Sequence, residues 1–264
     1  MSEIVSERSG PILRIQFNRP TKKNAMTAGM YAGLADLLNG AGTDDGIRVA
    51  LLHGAGDSFT AGNDLQDFLK NPPGSGDNPQ AQLIRALLNF DKPLVAAVHG
   101  AAIGSGTTML TYCDFVYASE SAKFQMPFIN LALVPEFGTS YSVPRLTGYL
   151  RATELILLGQ PFDATRAAQL GFVTAVVPDR NLLDTATETA QKLAQKPASA
   201  MRACKKLLRR SLREPTEHAV DAEMDEFLAR LHSVDAKEAI TAFFEKRRPD
   251  FTRTTEPIPA QTIS

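Results

Sequence analysis

The 264-residue sequence contains only two cysteines, Cys113 and Cys204, and neither stands in a CxxC or Cys/His metal spacing. That excludes a disulfide framework and any metal site legible from spacing, and it fits a reduced, intracellular setting. No stretch approaches the roughly 18 apolar residues of a membrane-spanning helix. The opening segment, MSEIVSERSGPILRIQF, carries acids and polar breaks instead of a basic region followed by an apolar run, and the last residues, TIS, are not a peroxisomal address. The expectation is a cytoplasmic protein with no membrane partner. A formal net charge of −1 and a pI near 6.4 leave no global field to attract nucleic acid.

The chain is long enough to bury a substantial core, as one large domain or one domain with a smaller appendage. Residues 12 to 17 alternate apolar and polar side chains, as a half-buried strand does, and Asn18-Arg19-Pro20 ends the run. A helix is expected near Thr27, with Met30, Leu34, Leu37 and Leu38 on one stripe. VALLH (49–53) and LVAAVH (94–99) are short apolar runs leading into glycine turns, and after the second turn IGSGTTML opens a helix. Between these units, NPPGSGDNP (71–79) is too rich in Pro and Gly for either element and reads as a loop with room to act as a lid.

After VTAVV (173–177) no strong strand pattern appears, and the remainder reads as helices broken near Pro197 and Pro215. In the last of these, Asp235 and Glu238 have capping-box spacing. Ile240, Phe243 and Phe244 form an apolar stripe ahead of the basic cluster Lys246, Arg247 and Arg248.

Two segments carry chemistry. In SFTAGNDL (58–65), the small pair Ala61 and Gly62 permits close backbone approach, and a following helix start leaves the Asn63 N–H free. On its own the segment reads first as an ordinary turn with Asp64 as helix cap. In HGAAIGSG (99–106), Gly100, Gly104 and Gly106 surround a helix start whose early N–H groups suit an oxyanion, although glycines there also serve close packing. The segment lacks the GxGxxG order and distal acid of a dinucleotide site.

Taken with FNRPTKKNAM (17–26), PLVAAVHGAAIGSG, CDFVYAS (113–119) and the terminal FFEKRRPDF, these segments make the chain resemble the crotonase, or enoyl-CoA hydratase/isomerase, superfamily along nearly its whole length. The resemblance implies an α/β fold, a spiral of repeated ββα units over 1–196 that holds an acyl-CoA site. Residues 197–264 would form a C-terminal helical region for packing and assembly into a homotrimer or a pair of trimers. It implies that the N–H groups of Asn63 and Ser105 bind the thioester oxygen. Lys22, Lys23, Ala25, Ala61, Gly62, Asp64, Leu65 and Lys246 are candidates for holding the CoA carrier, with no metal and no cofactor beyond that CoA.

Removing a proton next to a thioester puts negative charge on its oxygen, and one preorganised donor lowers the barrier by roughly 3 kcal/mol. The family's hydratases use two glutamates, and at the matching places this chain has Thr108 and Phe128, neither of which is an acid. Eight residues after Phe128 comes Glu136, which resembles the single glutamate of the family's delta-3 to delta-2 enoyl-CoA isomerases. Leu133, Val134 and Phe137 would desolvate it and a helix N-terminus would pull the other way; on local pattern alone it is a first-turn acid.

Other features carry plainer readings. Arg202, Lys205, Lys206, Arg209, Arg210 and Arg213 form a basic stripe opposite Leu207, Leu208 and Leu212. It reads as the solvated face of an amphipathic helix in preference to an RNA row. His53 and His99 read as hydrogen-bonded ends of core strands, and Asp114 and Arg145 as structural.

Overall fold

The computed structural model describes residues 2–70, 76 and 78–253. Strands β1 (Ile4–Ser9) and β2 (Ile12–Phe17) form an antiparallel hairpin. Helix α1 (Ala28–Thr43) then returns the chain to β3 (Val49–Gly54), parallel to β2. Helices α2 (Leu65–Lys70) and α3 (Pro79–Asn89) lead to β4 (Leu94–Val98), β5 (Ala101–Ile103) and the single turn α4 (Ser105–Thr108). Next come β6 (Phe115–Ser119), β7 (Lys123–Gln125), α5 (Thr139–Thr147) and α6 (Tyr149–Leu158). After β8 (Phe162–Asp163), α7 (Ala164–Gln169) and β9 (Ala175–Val177), the rest is helical. It comprises α8 (Leu182–Ala194), α9 (Ala198–Arg209), α10 (Arg213–Leu231) and α11 (Val234–Phe244).

The strands form a six-stranded sheet in the order β1-β2-β3-β4-β6-β9, parallel except for the first pair, and a smaller sheet β5-β7-β8. Successive turns of the chain give one strand to each sheet: β4 then β5, β6 then β7. An isolated parallel bridge between Thr60 and Ala102 adds the segment after β3 to the second layer. Strand alternation divides the core. Ile12, Val49, Leu51, Val95 and Ala97 face Ala186 and Ala190 of α8, while Leu13, Ile15, Phe17, Leu52, Ala96 and Val98 face the main core with α1 and α3. Burial on both faces is why β3 and β4 are continuous apolar runs instead of alternating ones.

Several helix signals work as read. Thr27 caps α1, accepting from Met30 N at 3.2 Å, and Met30, Leu34 and Leu38 are buried. Others differ. Pro215 does not break a helix but sits in the first turn of α10, where its missing N–H costs nothing; the break falls just ahead, after Arg209. The cap of α11 is Ser233, which accepts from Ala236 N at 3.0 Å; Asp235 lies inside the first turn, and Glu238 pairs with Arg247 at 2.9 Å. Within NPPGSGDNP, residues 71–75 and 77 lie outside the described residues, and with them most of the expected lid. Its end is helical: Asn78 caps α3 through Ala81 N (2.9 Å) and Pro79 takes the first helical position.

The basic stripe of α9 is divided: Lys206 and Arg210 are exposed, as a solvated face requires, whereas others turn to the fold. Lys205 is buried and donates to Lys92 O and to Asp114, both at 2.6 Å; Arg202 pairs with Asp91 at 2.7 Å and Arg209 with Asp114 at 3.4 Å. Leu207 and Leu208 are instead 69% and 78% exposed. Three of the six cations are thus committed to the fold, clamping α9 on the start of β6, where Asp114 also accepts from Leu94 N at 2.8 Å. Arg213 is also paired, with Glu217 at 3.0 Å. No described helix is long and apolar enough to cross a membrane, and no described group of His, Cys, Asp and Glu is placed to hold a metal ion.

Candidate active site

The site starts from two backbone segments locked side by side. Met26 N donates to Gly62 O (2.7 Å) and Asp64 N to Met26 O (2.9 Å), so Asn63 between them turns its own N–H away from the pairing. Buried Asn24, at φ +55°, fixes the partner segment: its Nδ2 donates to Ala55 O (2.8 Å) and Ser58 O (2.7 Å), and its Oδ1 accepts from Arg19 N (2.8 Å). Gly104, at φ +55°, reverses the chain into α4, where the N–H groups of Thr107 and Thr108 both reach Gly104 O (2.9 and 3.0 Å). The Ser105 N–H at the head of this turn, like that of Asn63, has no protein acceptor among the described residues. The two segments touch because of glycine: a Cβ on Gly62 would stand 2.5 Å from Ile103 O, and one on Gly106 2.9 Å from Thr60 O.

Tyr31, on α1, ties the two segments together. Its buried hydroxyl donates to Asn63 Oδ1 and lies 2.8 Å from Ser105 Oγ. Burial, then the charge of Glu136, holds its pKa well above the ordinary tyrosine value, so it stays protonated.

Glu136 closes the site from the loop ahead of α5. It is 3% exposed, with Leu133 and Phe137 buried beside it. Gln80, the second residue of α3, donates from Nε2 to Glu136 Oε2, and Oε1 has no hydrogen-bond partner among the described residues. Burial pushes its pKa up to about 7, against the pull of the Gln80 and Asn63 carboxamides and with a smaller push from the charge of Glu223. A buried carboxyl with one free oxygen and a pKa near neutrality is suited to taking and returning a proton. Gln80, Ile84, Phe137, Val220, Met224 and Phe227 wall the narrow cavity onto which it faces.

The residues named from the sequence scatter more than these. Lys22 and Lys23 are exposed at the rim of the segment that pairs with Ala61, whose N–H donates to Lys23 O at 2.9 Å. Ala25 and Leu65 are half-buried. The Asp64 carboxylate is committed locally: it takes the N–H groups of Gln66 and Asp67 (3.0 and 3.2 Å) and pairs with Arg19 at 3.1 Å, the helix-cap role. Lys246 is exposed at the end of α11, a helix packed on α10 and the 128–131 turn. Thr108 and Phe128 are both buried, the Thr108 hydroxyl without a partner. His99 Nε2 lies 3.0 Å from Gly56 O, and burial lowers the pKa of His53.

Sequence reading missed Tyr31, Gln80 and Glu223. Gln80 was the most accessible of these, since Asn78-Pro79 is a helix-start signal that places it on a first turn. For Tyr31, an apolar stripe gives no sign that its hydroxyl is used.

The sequence profile described as Enoyl-CoA hydratase/isomerase matches residues 7–254. The 1,2-epoxyphenylacetyl-CoA isomerase of Escherichia coli (strain K12) is 36% identical over 96% of this chain and 99% of its own length. The human enoyl-CoA delta isomerase 2 is also 36% identical, over 92% of this chain and 63% of its own length. A crystal structure of an enoyl-CoA hydratase/isomerase from Pseudoalteromonas atlantica T6c superposes with a TM-score of 0.91 at 38% identity, over 95% of this chain and 100% of that one. With free N–H groups on two abutting glycine-lined segments and a buried acid that the Asn63 side chain reaches, the chain belongs to the enoyl-CoA hydratase/isomerase, or crotonase, family.

Proposed function

We propose that this enzyme shifts the double bond of a 3-enoyl-CoA to give the conjugated 2-enoyl-CoA, with Glu136 as its single acid/base. The Glu136 carboxylate takes a proton from C2, and the electrons pass to the thioester oxygen held by the N–H groups of Asn63 and Ser105. The dienolate then takes the same proton back at C4, moving the double bond from C3=C4 to C2=C3. No water enters and no redox partner is needed.

The observation that carries the reading is Glu136 itself: buried, with a pKa near 7 and one carboxyl oxygen unpartnered. Its reach is sharpened by what stands at 108 and 128, an uncharged hydroxyl and a phenyl ring, which cannot activate water as a pair of carboxylates does. The reaction requires no cofactor beyond the CoA of its substrate, for which Lys22 and Lys23 are the rim cations. The proposal extends to a cytoplasmic homotrimer, for whose contacts α9 offers the exposed Leu207 and Leu208.

The test is formation of 2-enoyl-CoA from 3-enoyl-CoA by wild type and by Glu136→Gln. The substitution should lower turnover by about 10³-fold, within the range for a lost acid/base. Undiminished turnover would remove Glu136 from the mechanism. A second reading follows from the Escherichia coli relative, named for an epoxide isomerase; turnover of an aryl epoxide thioester in preference to the 3-enoyl thioester would favour it.

A further inference from the structure

The N-cap of helix α5 is Gly138, which has no side chain with which to cap it. The carboxylate of Glu223 takes that place from α10. Its Oε2 accepts from Gly138 N at 2.7 Å and its Oε1 from Ser140 N. Glu223 is 6% exposed, and it lies within the same cavity lining as Glu136. Glu136 is two residues ahead of Gly138, where the partial positive charge of a helix start ordinarily stabilises a carboxylate and weakens it as a base.

We infer that Glu223 is a positioning residue that adds to the basicity burial gives Glu136: its charge offsets the field of the α5 N-terminus and repels the Glu136 anion, while its two hydrogen bonds fix the loop that carries it. The groups facing Glu136 from every other packed element are neutral, namely Tyr31 on α1, Asn63 ahead of α2 and Gln80 on α3. Among the described residues, Glu223 is therefore the charge that raises it. Burial raises the pKa of Glu223 as well, but the backbone N–H groups of Gly138, Thr139 and Ser140 favour its ionised form. Tyr112 braces the same loop, donating to Phe137 O at 2.8 Å where Phe137 adopts φ +64°.

This inference rests on Glu136 being the base, so its test reads the Glu136 carboxyl directly and not turnover. The carboxyl infrared band that disappears in Glu136→Gln identifies Glu136, and its titration is followed in the full chain carrying Glu223→Gln or Glu223→Asp. Glu223→Gln should move the Glu136 midpoint down by about one pH unit, the order expected for one close charge. Glu223→Asp, which keeps the charge one methylene further back, should move it less. An unmoved midpoint in folded Glu223→Gln, even with a lower melting temperature, overturns the inference and leaves Glu223 as a helix cap alone. Should Glu223→Gln fail to fold, the neutral Glu223→Asn carries the same reading: a lowered midpoint supports the inference and an unmoved one overturns it.

Discussion

The two halves of the site are built from different material. Asn63 and Ser105 contribute backbone N–H groups, each freed by hydrogen bonds and glycine contacts within two abutting segments. Glu136 contributes a side chain, and the groups that govern it come from α3 and α10, far along the chain. A donor made of main chain is independent of the residue that occupies it, so substitution alters it only by moving the backbone. An acid governed by distant side chains is adjustable one residue at a time. With the pair binding the oxyanion as proposed, one family can hold that feature constant and change what is done with it.

The contrast is broken most severely where backbone contact is tightest. Gly106→Ala places a Cβ 2.7 Å from Thr60 Cγ2. Displacing one oxyanion donor should then lower kcat by about 10²-fold or more, while the Glu136 pKa read by carboxyl infrared stays near 7. Tyr31→Phe should be milder. It releases the hydroxyl that joins Asn63 Oδ1 and Ser105 Oγ, and one lost hydrogen bond should cost roughly tenfold in kcat/KM; an unchanged kcat/KM would deny Tyr31 that role.

Changes to the acid half should move pH profiles instead. The rate should rise with pH through about 7 as Glu136 ionises. The Gln80 amide stabilises the anion, so Gln80→Met should carry that limb to higher pH, by roughly one unit; movement to lower pH would contradict the assigned sign. A last effect is on stability. The folded pKa of Glu136 is raised from 4.5 to about 7, so its protonated form favours the fold at low pH. That contribution is lost as pH rises through about 7. Melting curves of Glu136→Gln should therefore gain on wild type between these values, and parallel curves would contradict it.

Legibility in the sequence followed the same division. The glycines around Asn63 and Ser105 mark the donor half because backbone geometry needs particular residues at particular places, and β2, β3 and β4 were visible through their apolar pattern. Exposed β1 carries almost no such pattern, which is why it went unread. Glu136 was legible only by resemblance, since a first-turn acid is ordinary. Its partners were not legible at all, because the contacts of Gln80 and Glu223 are made by tertiary packing. The division of the α9 stripe has the same origin: Asp91 and Asp114 draw Arg202 and Lys205 toward the fold, and periodicity alone does not show which cations will find such partners.

The most direct test of a single acid working over a constant oxyanion pair is one comparison on wild type and Glu136→Gln. Conversion of 3-enoyl-CoA to 2-enoyl-CoA is followed alongside the ultraviolet shift of a bound conjugated enoyl thioester. Loss of conversion with the shift retained is the predicted result; conversion that survives in Glu136→Gln, or a wild type that only hydrates crotonyl-CoA, would contradict the account.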